Sequence, residues 1–407
     1  MPIFSKNKIK IGIIGGGVCG IIASISAASR GYDVTILERN DRIGKKLLVT
    51  GNGMCNLTNK NIELDHYNSN NGFINTILSK FDNKKLINFT NSLGIETYVD
   101  ESGRVFPQSK QASSVLDLLR LKLDQLNINV MCGEKVISID KIQDKFIVLS
   151  EKKRFIFNKI IIAAGGKSYP HLGTDGSMYE IMEQLGHTIK PTRPALSPIK
   201  LEGGLFKTAV GSHIDAKITL TKNNKAIRDR RGEIIFTNYG ISGIPVINLS
   251  NYISDFQSSS YKLLIDFFPS LSHERTISII KKRIKILADA KIEYLFTGWI
   301  NKRIGAMITK SLNLKNSHIK TLSKADVEKI DNTIHNMQFK VRGVLGFKSA
   351  FVTSGGVNLK EIDKNTMESK IIKDMYFCGE ITDINGECGG YNIQWAFSSA
   401  YVAGKSI

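Results

Sequence analysis

The sequence predicts an α/β fold in which both ends of the chain build one domain and the middle is an insertion. Three observations support this prediction. An apolar, β-branched run at Lys10–Ile14 passes into a glycine-rich turn and a helix. A second glycine-rich turn, ending at Gly390, precedes the last predicted helix, roughly 375 residues after the first. Between the two turns, the composition changes at Pro191–Pro194.

The amino-terminal segment has the pattern of a complete strand–helix–strand unit. The first strand leads into Gly15-x-Gly17-x-x-Gly20, a helix follows, and a second strand at Val34–Leu37 ends at Glu38. A lone glycine pattern is a weak signal. Strand, glycines, helix, strand and acid in this order form the fingerprint of a Rossmann-like dinucleotide-binding domain.

Each part of this fingerprint has a chemical task. Gly17 and Val18 lie where backbone N–H groups and the helix dipole can bind a pyrophosphate. Glu38 is placed to accept hydrogen bonds from a ribose 2′-OH. Because a carboxylate there would repel a 2′-phosphate, we expect FAD or NAD rather than NADP.

The loop after Glu38 contains further candidates for cofactor binding. Lys45 and Lys46 can neutralise a pyrophosphate, and Gly51 allows the backbone to approach a ligand closely. Arg39 and Thr50 belong to the same candidate set. The alternative interpretation is an ordinary basic surface loop.

The chain then alternates between predicted helices and strands. The apolar spacing predicts two short helices within 73–94, a helix over Ala112–Leu126, a strand over Ile128–Asp140 and a β-hairpin over Phe146–Lys159. The strand that begins at Ile160 ends at Ala164 and Gly165. This is the edge of an open α/β sheet at which ligands bind.

The inserted middle has two patterns. Residues from Pro194 to about Leu264 alternate with period two, which predicts a small β domain, and residues 272–335 have helical spacing. We therefore predict three domains with these boundaries: 1–193 with 350–407, 194–268 with 336–349, and 269–335.

The positive charge is concentrated in this insertion. The chain has a net charge of +19, and Lys200–Lys348 holds 25 Lys and Arg against 12 Asp and Glu, or +13. Such an excess is typical of proteins that bind phosphate-rich partners such as nucleic acids. The alternative is a compositional bias towards Asn, Ile and Lys. The candidate phosphate contacts are Arg228, Arg230, Arg231, Lys281, Lys282 and Arg283.

Other functional classes receive little support from the sequence. The five cysteines never occur as CxxC, so we predict neither a structural zinc site nor a redox-active disulfide, and we name no metal ligand. Glycines interrupt the uncharged stretch 11–29, which speaks against a signal peptide or a membrane span. We expect a cytoplasmic protein without membrane association, and the sequence leaves the oligomeric state open.

Together, these segments resemble the bacterial YhiN/BaiN-like family of FAD-dependent flavoproteins. The matching segments run from end to end: the glycine fingerprint, LLVTGNGMCNLTN, SGRVFP, AAGGKSYPHLGTDGS, GEIIFTNYGISG, VTSGGV, TMESK and CGEITDINGECGGYNIQWAFSSAYVAG. The resemblance implies a Rossmann-like FAD-binding domain built from both termini, an inserted β-barrel-like domain and a small helical domain.

The resemblance also implies FAD contacts at Gly17, Val18, Glu38, Lys45, Lys46, Val136, Asp383, Asn392 and Ile393. A plain core role is an alternative for Val136. Two positions depart from the family pattern, Met54 in place of an Arg and Asn238 in place of a His. A phosphate clamp by that Arg and acid catalysis by that His therefore do not transfer to this chain.

The implied reaction is flavin redox chemistry. No second GxGxxG is present, so NAD(P)H is expected to be a transient electron donor at most. Cys55 and Cys388 lie on loops predicted to border the flavin, where a thiol could protonate one carbon of a double bond while hydride reaches the other. The alternative for both cysteines is a packed small residue.

Three functions remain open from the sequence. Members of the resembling family are associated with reduction of uridine to dihydrouridine in large-subunit ribosomal RNA, with reduction of unsaturated bile-acid intermediates, and with aminoacetone oxidation. The basic insertion favours ribosomal RNA as substrate. The alternatives are a small-molecule oxidoreductase, either an enone reductase or an amine oxidase, and a non-catalytic flavin-containing RNA-binding protein.

Overall fold

A computed structural model of the chain describes residues 8–68, 72–254, 260–314 and 318–407. These residues form two compact units. The first contains the described residues up to Pro194 together with Phe351–Ile407, and the second is Ala195–Ala350. The predicted α/β fold class is confirmed: a parallel Rossmann-like sheet and a closed β-barrel are both present.

The first unit begins with alternating strands and helices. Their bounds are β1 (Lys10–Ile14), α1 (Val18–Ala28), β2 (Asp33–Glu38), β3 (Thr58–Asn59), α2 (Gly72–Lys80), α3 (Asn83–Ser92), β4 (Thr97–Val99), β5 (Arg104–Pro107), α4 (Ala112–Gln125), β6 (Asn129–Cys132), β7 (Val136–Ile142), β8 (Lys145–Ser150), β9 (Arg154–Phe157), β10 (Lys159–Ile162), α5 (Ser177–Gln184) and β11 (Ile189–Ala195).

The second unit follows, and the chain then returns to the first. The elements of the second unit are β12 (Ile199–Leu201), β13 (His213–Lys222), β14 (Lys225–Thr237), β15 (Gly240–Ser242), α6 (Ile244–Ser250), β16 (Tyr261–Asp266), α7 (His273–Ile286), α8 (Lys302–Ser311), α9 (Lys324–His335) and β17 (Met337–Val344). The return to the first unit comprises β18 (Val352–Val357), β19 (Met375–Phe377) and α10 (Tyr391–Ser406).

A parallel sheet organises the first unit. Its strand order is β19-β10-β1-β2-β6, and every neighbouring pair is parallel. Ile11, Ile13 and Ile161 are completely buried, as expected for strands covered on both faces. The chain leaves β1 towards β2 on one side and later enters β10 on the other. A topological switch point therefore lies between β1 and β10, where ligands of such sheets bind.

Helices from the two ends of the chain pack on each other in this unit. Gly404 on α10 lies so close to α1 that an added Cβ would be 2.6 Å from the carbonyl oxygen of Ala23. Only glycine allows this approach. Both ends of the chain therefore contribute to the first unit, through the packing of α10 on α1 and through β19, which joins the sheet beside β10.

One predicted element was wrong in its extent. The strand expected over Ile128–Asp140 is divided at Gly133, which has φ +73°. The first part, β6, extends the parallel sheet beside β2, whereas the second part, β7, pairs with β8 in a separate antiparallel sheet. A left-handed glycine redirects the chain between the two sheets.

The second unit is built around a barrel of antiparallel strands. The strand order is β12-β15-β14-β13-β16-β17, and β17 closes the barrel on β12. Ile218, Phe236 and Leu263 are completely buried inside it. Apolar residues of the helices, such as Ile280, Ile304 and Ile330, belong to the same hydrophobic core. In the described parts of the chain, every helix is too short or too polar to cross a membrane.

Candidate dinucleotide site

The glycine turn between β1 and α1 is shaped for close packing at two positions and for open space at a third. An added Cβ at Gly15 would lie 2.6 Å from the carbonyl oxygen of Ala163, and one at Gly20 would lie 1.9 Å from that of Gly15. At Gly17, by contrast, a Cβ would meet no atom within 4 Å. The first two glycines let the helix approach the sheet, and the third leaves room for a ligand.

The amino terminus of α1 faces this open space without a side-chain cap. Gly17 is the N-cap, it provides no side-chain cap, and the first turn from Val18 contains no acidic residue. The free N–H groups and the helix dipole therefore create a positive potential above Gly17. A phosphate group of a dinucleotide fits this position.

Glu38 lies at the end of β2 beside the glycine turn and is 7% exposed. Its Oε2 accepts a hydrogen bond from the N–H of Gly16 (2.7 Å), and its Oε1 accepts from the N–H (2.8 Å) and the side-chain amide (2.7 Å) of Asn40. These three donors hold the carboxylate in one orientation. A carboxylate offers about four acceptor positions, so capacity remains for a ribose hydroxyl. The residues present therefore fit a dinucleotide.

The basic residues predicted to neutralise a pyrophosphate are each paired within the protein. Arg39 is 2.6 Å from Asp175, Lys45 is 2.6 Å from Asp41, and Lys46 is 2.7 Å from Glu380. The structure therefore does not present them as free phosphate clamps, and their contacts with a pyrophosphate stay predictions.

In two of these ion pairs, the basic partner lowers the pKa of the carboxyl group. Burial tends to raise the pKa of Asp175, but hydrogen bonds from Arg39 and Ser177 outweigh this effect and lower the pKa to about 2. The hydrogen bond from Lys45 lowers the pKa of Asp41. Both carboxyl groups are therefore ionised at neutral pH.

A group of residues that the sequence analysis did not single out surrounds Lys46. The Oε1 of Glu380 accepts a hydrogen bond from the N–H of Thr353 at 2.8 Å, while the Nζ of Lys46 lies 6.0 Å from the ring centroid of Tyr169. Tyr169 has φ +58°, a left-handed conformation that costs a non-glycine residue about 1–2 kcal/mol. Such strained residues cluster at functional sites. The sequence signal that could have pointed to Tyr169 is the family motif AAGGKSYPHLGTDGS, which contains this residue.

The two candidate cysteines have different environments. Cys55 is 0% exposed, burial raises the pKa of its thiol to about 12, and the hydroxyl of Thr50 is its hydrogen-bond partner. A group without accessible surface cannot reach a substrate, so the structure does not support Cys55 as a proton donor.

Cys388 is partly exposed on the loop before α10. Burial, followed by the charge of Glu387, raises the pKa of its thiol to about 12. It lies near Tyr169, whose own pKa is raised by burial and by Cys388. The thiol keeps its proton at neutral pH, and the catalytic assignment of Cys388 stays a prediction.

The loop before α10 is held by Asn392. Its side-chain amide donates to the carbonyl oxygen of Gly386 at 2.8 Å, and its Oδ1 accepts from the N–H of Gly386 at 2.8 Å. Because the side chain is used in this way, a contact of Asn392 with FAD would involve its backbone. α10 begins after Gly390 (φ +99°) without a side-chain cap or an acid in its first turn, which leaves the N–H groups of Asn392 and Ile393 at a second positive helix end.

Asp383 lies in the segment that follows β19, and its backbone N–H donates to the carbonyl oxygen of Val357 at the end of β18 (3.2 Å). Its Oδ1 accepts a hydrogen bond from the N–H of Gly355 at 3.1 Å. Burial raises the pKa of Asp383, an effect that Gly355, Lys190 and Arg193 only partly oppose. The carboxyl group is therefore poorly compensated, and its FAD contact stays a prediction.

The remaining candidates have mainly structural environments. Val136, at the start of β7, is 6% exposed. The hydroxyl of Thr50 donates to the carbonyl oxygen of Leu47 at 2.7 Å, and Gly51 is left-handed (φ +56°). Ala164 and Gly165 follow β10 at the switch point of the sheet. The cofactor contacts of these residues stay predictions.

The six candidate phosphate contacts lie on two elements, β14 and α7. Lys281 and Lys282 are exposed. Arg231 is paired with Asp215 at 3.2 Å, and Arg283 donates to the carbonyl oxygens of Leu295 and Thr297, both at 2.5 Å. Burial lowers the pKa of Arg283. Arg283 therefore has a structural role that the sequence analysis missed.

Arg228 and Arg230 have protein contacts of their own. The guanidinium of Arg228 lies 6.0 Å from the ring centroid of Tyr252, and Arg230 donates to the carbonyl oxygen of Asp229 at 2.9 Å. Both are only partly exposed. Of the six residues, Lys281, Lys282 and Arg231 are exposed, and Arg231 is the one of these three that is paired with an acid, Asp215.

The parallel sheet, the open glycine turn and the oriented carboxylate of Glu38 define a Rossmann-type dinucleotide-binding protein. A family model described as the HI0933-like protein Rossmann domain matches residues 9–406. The chain belongs to this family, and the membership confirms the resemblance to the YhiN/BaiN-like FAD-dependent flavoproteins.

Three relatives match almost the whole chain. It is 34% identical to a 3-dehydro-bile acid delta(4,6)-reductase of Clostridium scindens, covering 98% of each chain. It is 32% identical to a ribosomal RNA dihydrouridine synthase of Haemophilus influenzae, covering 100% of this chain and 99% of the relative. A ribosomal RNA dihydrouridine synthase of Escherichia coli is 28% identical, with 97% of both chains covered.

Proposed function

We propose that this protein is an FAD-dependent oxidoreductase that reduces an activated carbon–carbon double bond. The observation that carries the proposal is the site between β1 and β10, where open space at Gly17 adjoins the oriented carboxylate of Glu38. The amino terminus of α1 would bind a phosphate of FAD, and Glu38 would bind a ribose hydroxyl. Bound FAD, once reduced by a transient donor such as NAD(P)H, would supply the hydride.

The protein must also supply a proton, because hydride addition to one carbon leaves negative charge on the activated system. Cys388 is the candidate donor: it is partly exposed, and its raised pKa, about 12, keeps the thiol protonated at neutral pH. A carbanion-like carbon is a stronger base than a thiolate, so transfer to that carbon is favourable. Tyr169 and Arg104 lie close enough to influence the thiol electrostatically.

The favoured substrate is uridine in large-subunit ribosomal RNA, which would become dihydrouridine. Lys200–Lys348 carries a net charge of +13, and Lys281 and Lys282 are exposed on α7. An RNA substrate requires phosphate contacts that a small molecule does not. Two relatives that match nearly the full chain are named as ribosomal RNA dihydrouridine synthases.

A second candidate is reduction of a small enone. The relative from Clostridium scindens is named as a reductase of a 3-dehydro-bile acid, which is a small molecule. Ion pairs on the barrel, between Lys217 and Asp229 (3.4 Å) and between Arg231 and Asp215 (3.2 Å), also reduce the charge available to RNA. This candidate predicts turnover of a low-molecular-weight substrate in the absence of RNA.

Mass spectrometry of ribosomal RNA nucleosides tests the proposal. Cells lacking the gene are compared with cells that express the wild type, Gly17→Val or the control Gly72→Ala. A Cβ at either glycine meets no protein atom within 4 Å, but only the side chain at Gly17 would occupy the space assigned to FAD. We expect a dihydrouridine that is lost on deletion and restored by the wild type and by Gly72→Ala only.

Two outcomes would contradict parts of the proposal. An unchanged nucleoside profile, together with FAD in the purified protein, would exclude the RNA substrate and favour the small enone. RNA binding with flavin that no donor reduces would favour a non-catalytic RNA-binding protein. Absence of flavin from the wild-type protein would overturn the assignment of the cofactor itself.

A further inference from the structure

A compact group of potential metal ligands lies in the second unit, in the part formed by α7, α9 and the end of β16. His273 is the first residue of α7, and Asp331 and His335 lie one turn apart on α9. One candidate ligand atom from each of the three side chains lies within 4.8 Å of the other two. The Nδ1 of His273 is 2.6 Å from the Oδ2 of Asp331. The Nε2 of His335 is 3.7 Å from the Oδ1 of Asp331.

The orientation of His335 suits a ligand. Its Nδ1 is 2.9 Å from the Oδ1 of Asp266, which also accepts the N–H of Phe268 at 2.9 Å. Since a carboxylate only accepts, we assign the imidazole proton to Nδ1. The unprotonated Nε2 then accepts a hydrogen bond from the hydroxyl of Thr276 at 2.9 Å, and a metal ion would replace this hydroxyl at the lone pair of Nε2. Metal-binding histidines are commonly oriented by a carboxylate in this way.

Asp331 provides the second, independent observation. Its side chain is 8% exposed, and its Oδ1 is buried without a hydrogen-bond donor among the described residues. A buried carboxylate oxygen without a partner is costly, and such groups are rare in folded proteins. A cation between Asp331 and His335 would satisfy this oxygen.

We propose that His273, Asp331 and His335 bind a divalent transition-metal ion of the Zn²⁺ type. Two imidazoles and one carboxylate suit Zn²⁺, whereas Ca²⁺ and Mg²⁺ prefer oxygen ligands alone. Tetrahedral Zn²⁺ bonds of about 2.0–2.1 Å place ligand atoms about 3.3 Å apart. Small side-chain rotations reach this spacing, and His273 is free to make them because its side chain is 66% exposed. Water would occupy the fourth position.

The ion would connect the beginning of α7 to the end of α9. This inference does not depend on the proposed reaction or on FAD. A short ligand motif in the sequence could not reveal the site, because His273 and Asp331 are 58 positions apart in the chain. The competing interpretation is a metal-free cluster of ion pairs and hydrogen bonds.

Direct titration with Zn²⁺ tests the proposal on the purified full chain after treatment with a chelator. The variants are His273→Gln, whose exposed side chain makes misfolding improbable, and Asp331→Asn, which preserves size. The control is His213→Gln on the barrel, where His213 is 52% exposed and 3.6 Å from Glu233. We expect about one equivalent of Zn²⁺ to bind to the wild type and the control, with affinity reduced at least about tenfold in both site variants.

Two further readouts distinguish a metal site from a cluster that only stabilises the fold. Co²⁺ should produce the visible absorption of a tetrahedral site in the wild type and in His213→Gln but not in His273→Gln. Saturating Zn²⁺ should raise the Tm of the wild type by at least about 3 °C without changing that of Asp331→Asn. The flavin content should be the same in all variants.

Equal Zn²⁺ affinity in the wild type and His273→Gln would overturn the proposal. So would a wild type that binds no Zn²⁺ at about 100 μM, a concentration at which even weak sites of this kind are filled. Either result would identify the group as a metal-free cluster.

Discussion

The Nζ of Lys46 and the Oε2 of Glu380 lie 2.7 Å apart, although the two residues are separated by 334 positions in the chain. Their side chains are only 24% and 18% exposed. Glu380 also accepts the N–H of Thr353. This ion pair connects the loop after β2 to the segment after β19, so it joins the amino- and carboxyl-terminal parts of the first unit beside the proposed FAD site.

The first prediction concerns this pair. Glu380→Gln leaves the ammonium group of Lys46 without its charge partner in a largely buried position. We expect the free energy of unfolding to fall by about 1–3 kcal/mol, measured by urea denaturation. Glu151→Gln removes the partner of Lys135 from an exposed pair and should cost clearly less, because solvent screens the charges of an exposed pair. Equal losses in the two variants would contradict the structural importance of the Lys46–Glu380 pair.

The second prediction separates the two kinds of glycine in the turn after β1. Gly17→Val should lose FAD but keep the fold, since a Cβ there meets no protein atom. Gly20→Ala should reduce stability by about 1–3 kcal/mol or more, because its Cβ would lie 1.9 Å from the backbone oxygen of Gly15. Flavin absorbance per mole of protein and Tm measure the two effects. Retention of FAD by Gly17→Val would place the cofactor elsewhere.

The third prediction is a pH dependence. The pKa of Asp175 is about 2 in the folded protein and 3.8 is its ordinary value, so ionised Asp175 stabilises the fold above pH 3.8, and this contribution is lost as the pH falls towards 2. Because Asp175 is 38% exposed, solvent screening reduces its contribution to about 1 kcal/mol.

Asp175→Asn should therefore be less stable than the wild type by about this amount at pH 7. The difference should diminish between pH 3.8 and about 2, and it should also diminish in about 1 M salt. Urea denaturation at each pH measures it. A difference that is constant across this range would show that Asp175 acts through packing rather than charge.

The fourth prediction concerns the cysteines. Cys388→Ser should slow oxidation of the reduced flavin by substrate at least about tenfold if the thiol donates the proton. Cys55→Ser should leave this rate unchanged per flavin-bound molecule and lower stability by about 1–3 kcal/mol, because a hydroxyl replaces a thiol at a position that is 0% exposed. Single-turnover kinetics measures the first effect and denaturation the second. Normal rates in Cys388→Ser would exclude the thiol as the acid.

The fifth prediction tests RNA recognition. Charge reversal of both Lys281 and Lys282 should weaken binding of a ribosomal RNA fragment and reduce the salt dependence of the binding constant, with the log–log slope falling by about 2. Arg283→Glu should instead destabilise the second unit, since its guanidinium binds the carbonyl oxygens of Leu295 and Thr297. The control is Lys84→Glu on α3 of the first unit, where the residue is exposed. Binding that does not respond to salt would contradict a phosphate-rich substrate.

Much of the fold follows from local patterns. The glycine turn and the position of Glu38 were predictable because adjacent residues determine steric freedom, helix polarity and strand ends. The division of Ile128–Asp140 was not predicted, since its apolar pattern continues across Gly133 although the two halves join different sheets. Period-two patterning indicates a strand but does not identify its partner.

The sequence by itself determined the dinucleotide fingerprint, the insertion between the two halves of the first unit, the positive charge of the insertion and the family. Tertiary structure alone decided which charges are paired, which cysteine is accessible, and that His273, Asp331 and His335 lie together. The physical reason is the separation along the chain of the residues that interact. Local steric and dipole effects act between neighbours in the chain, whereas ion pairing, burial and metal coordination depend on distances in space between residues far apart in sequence.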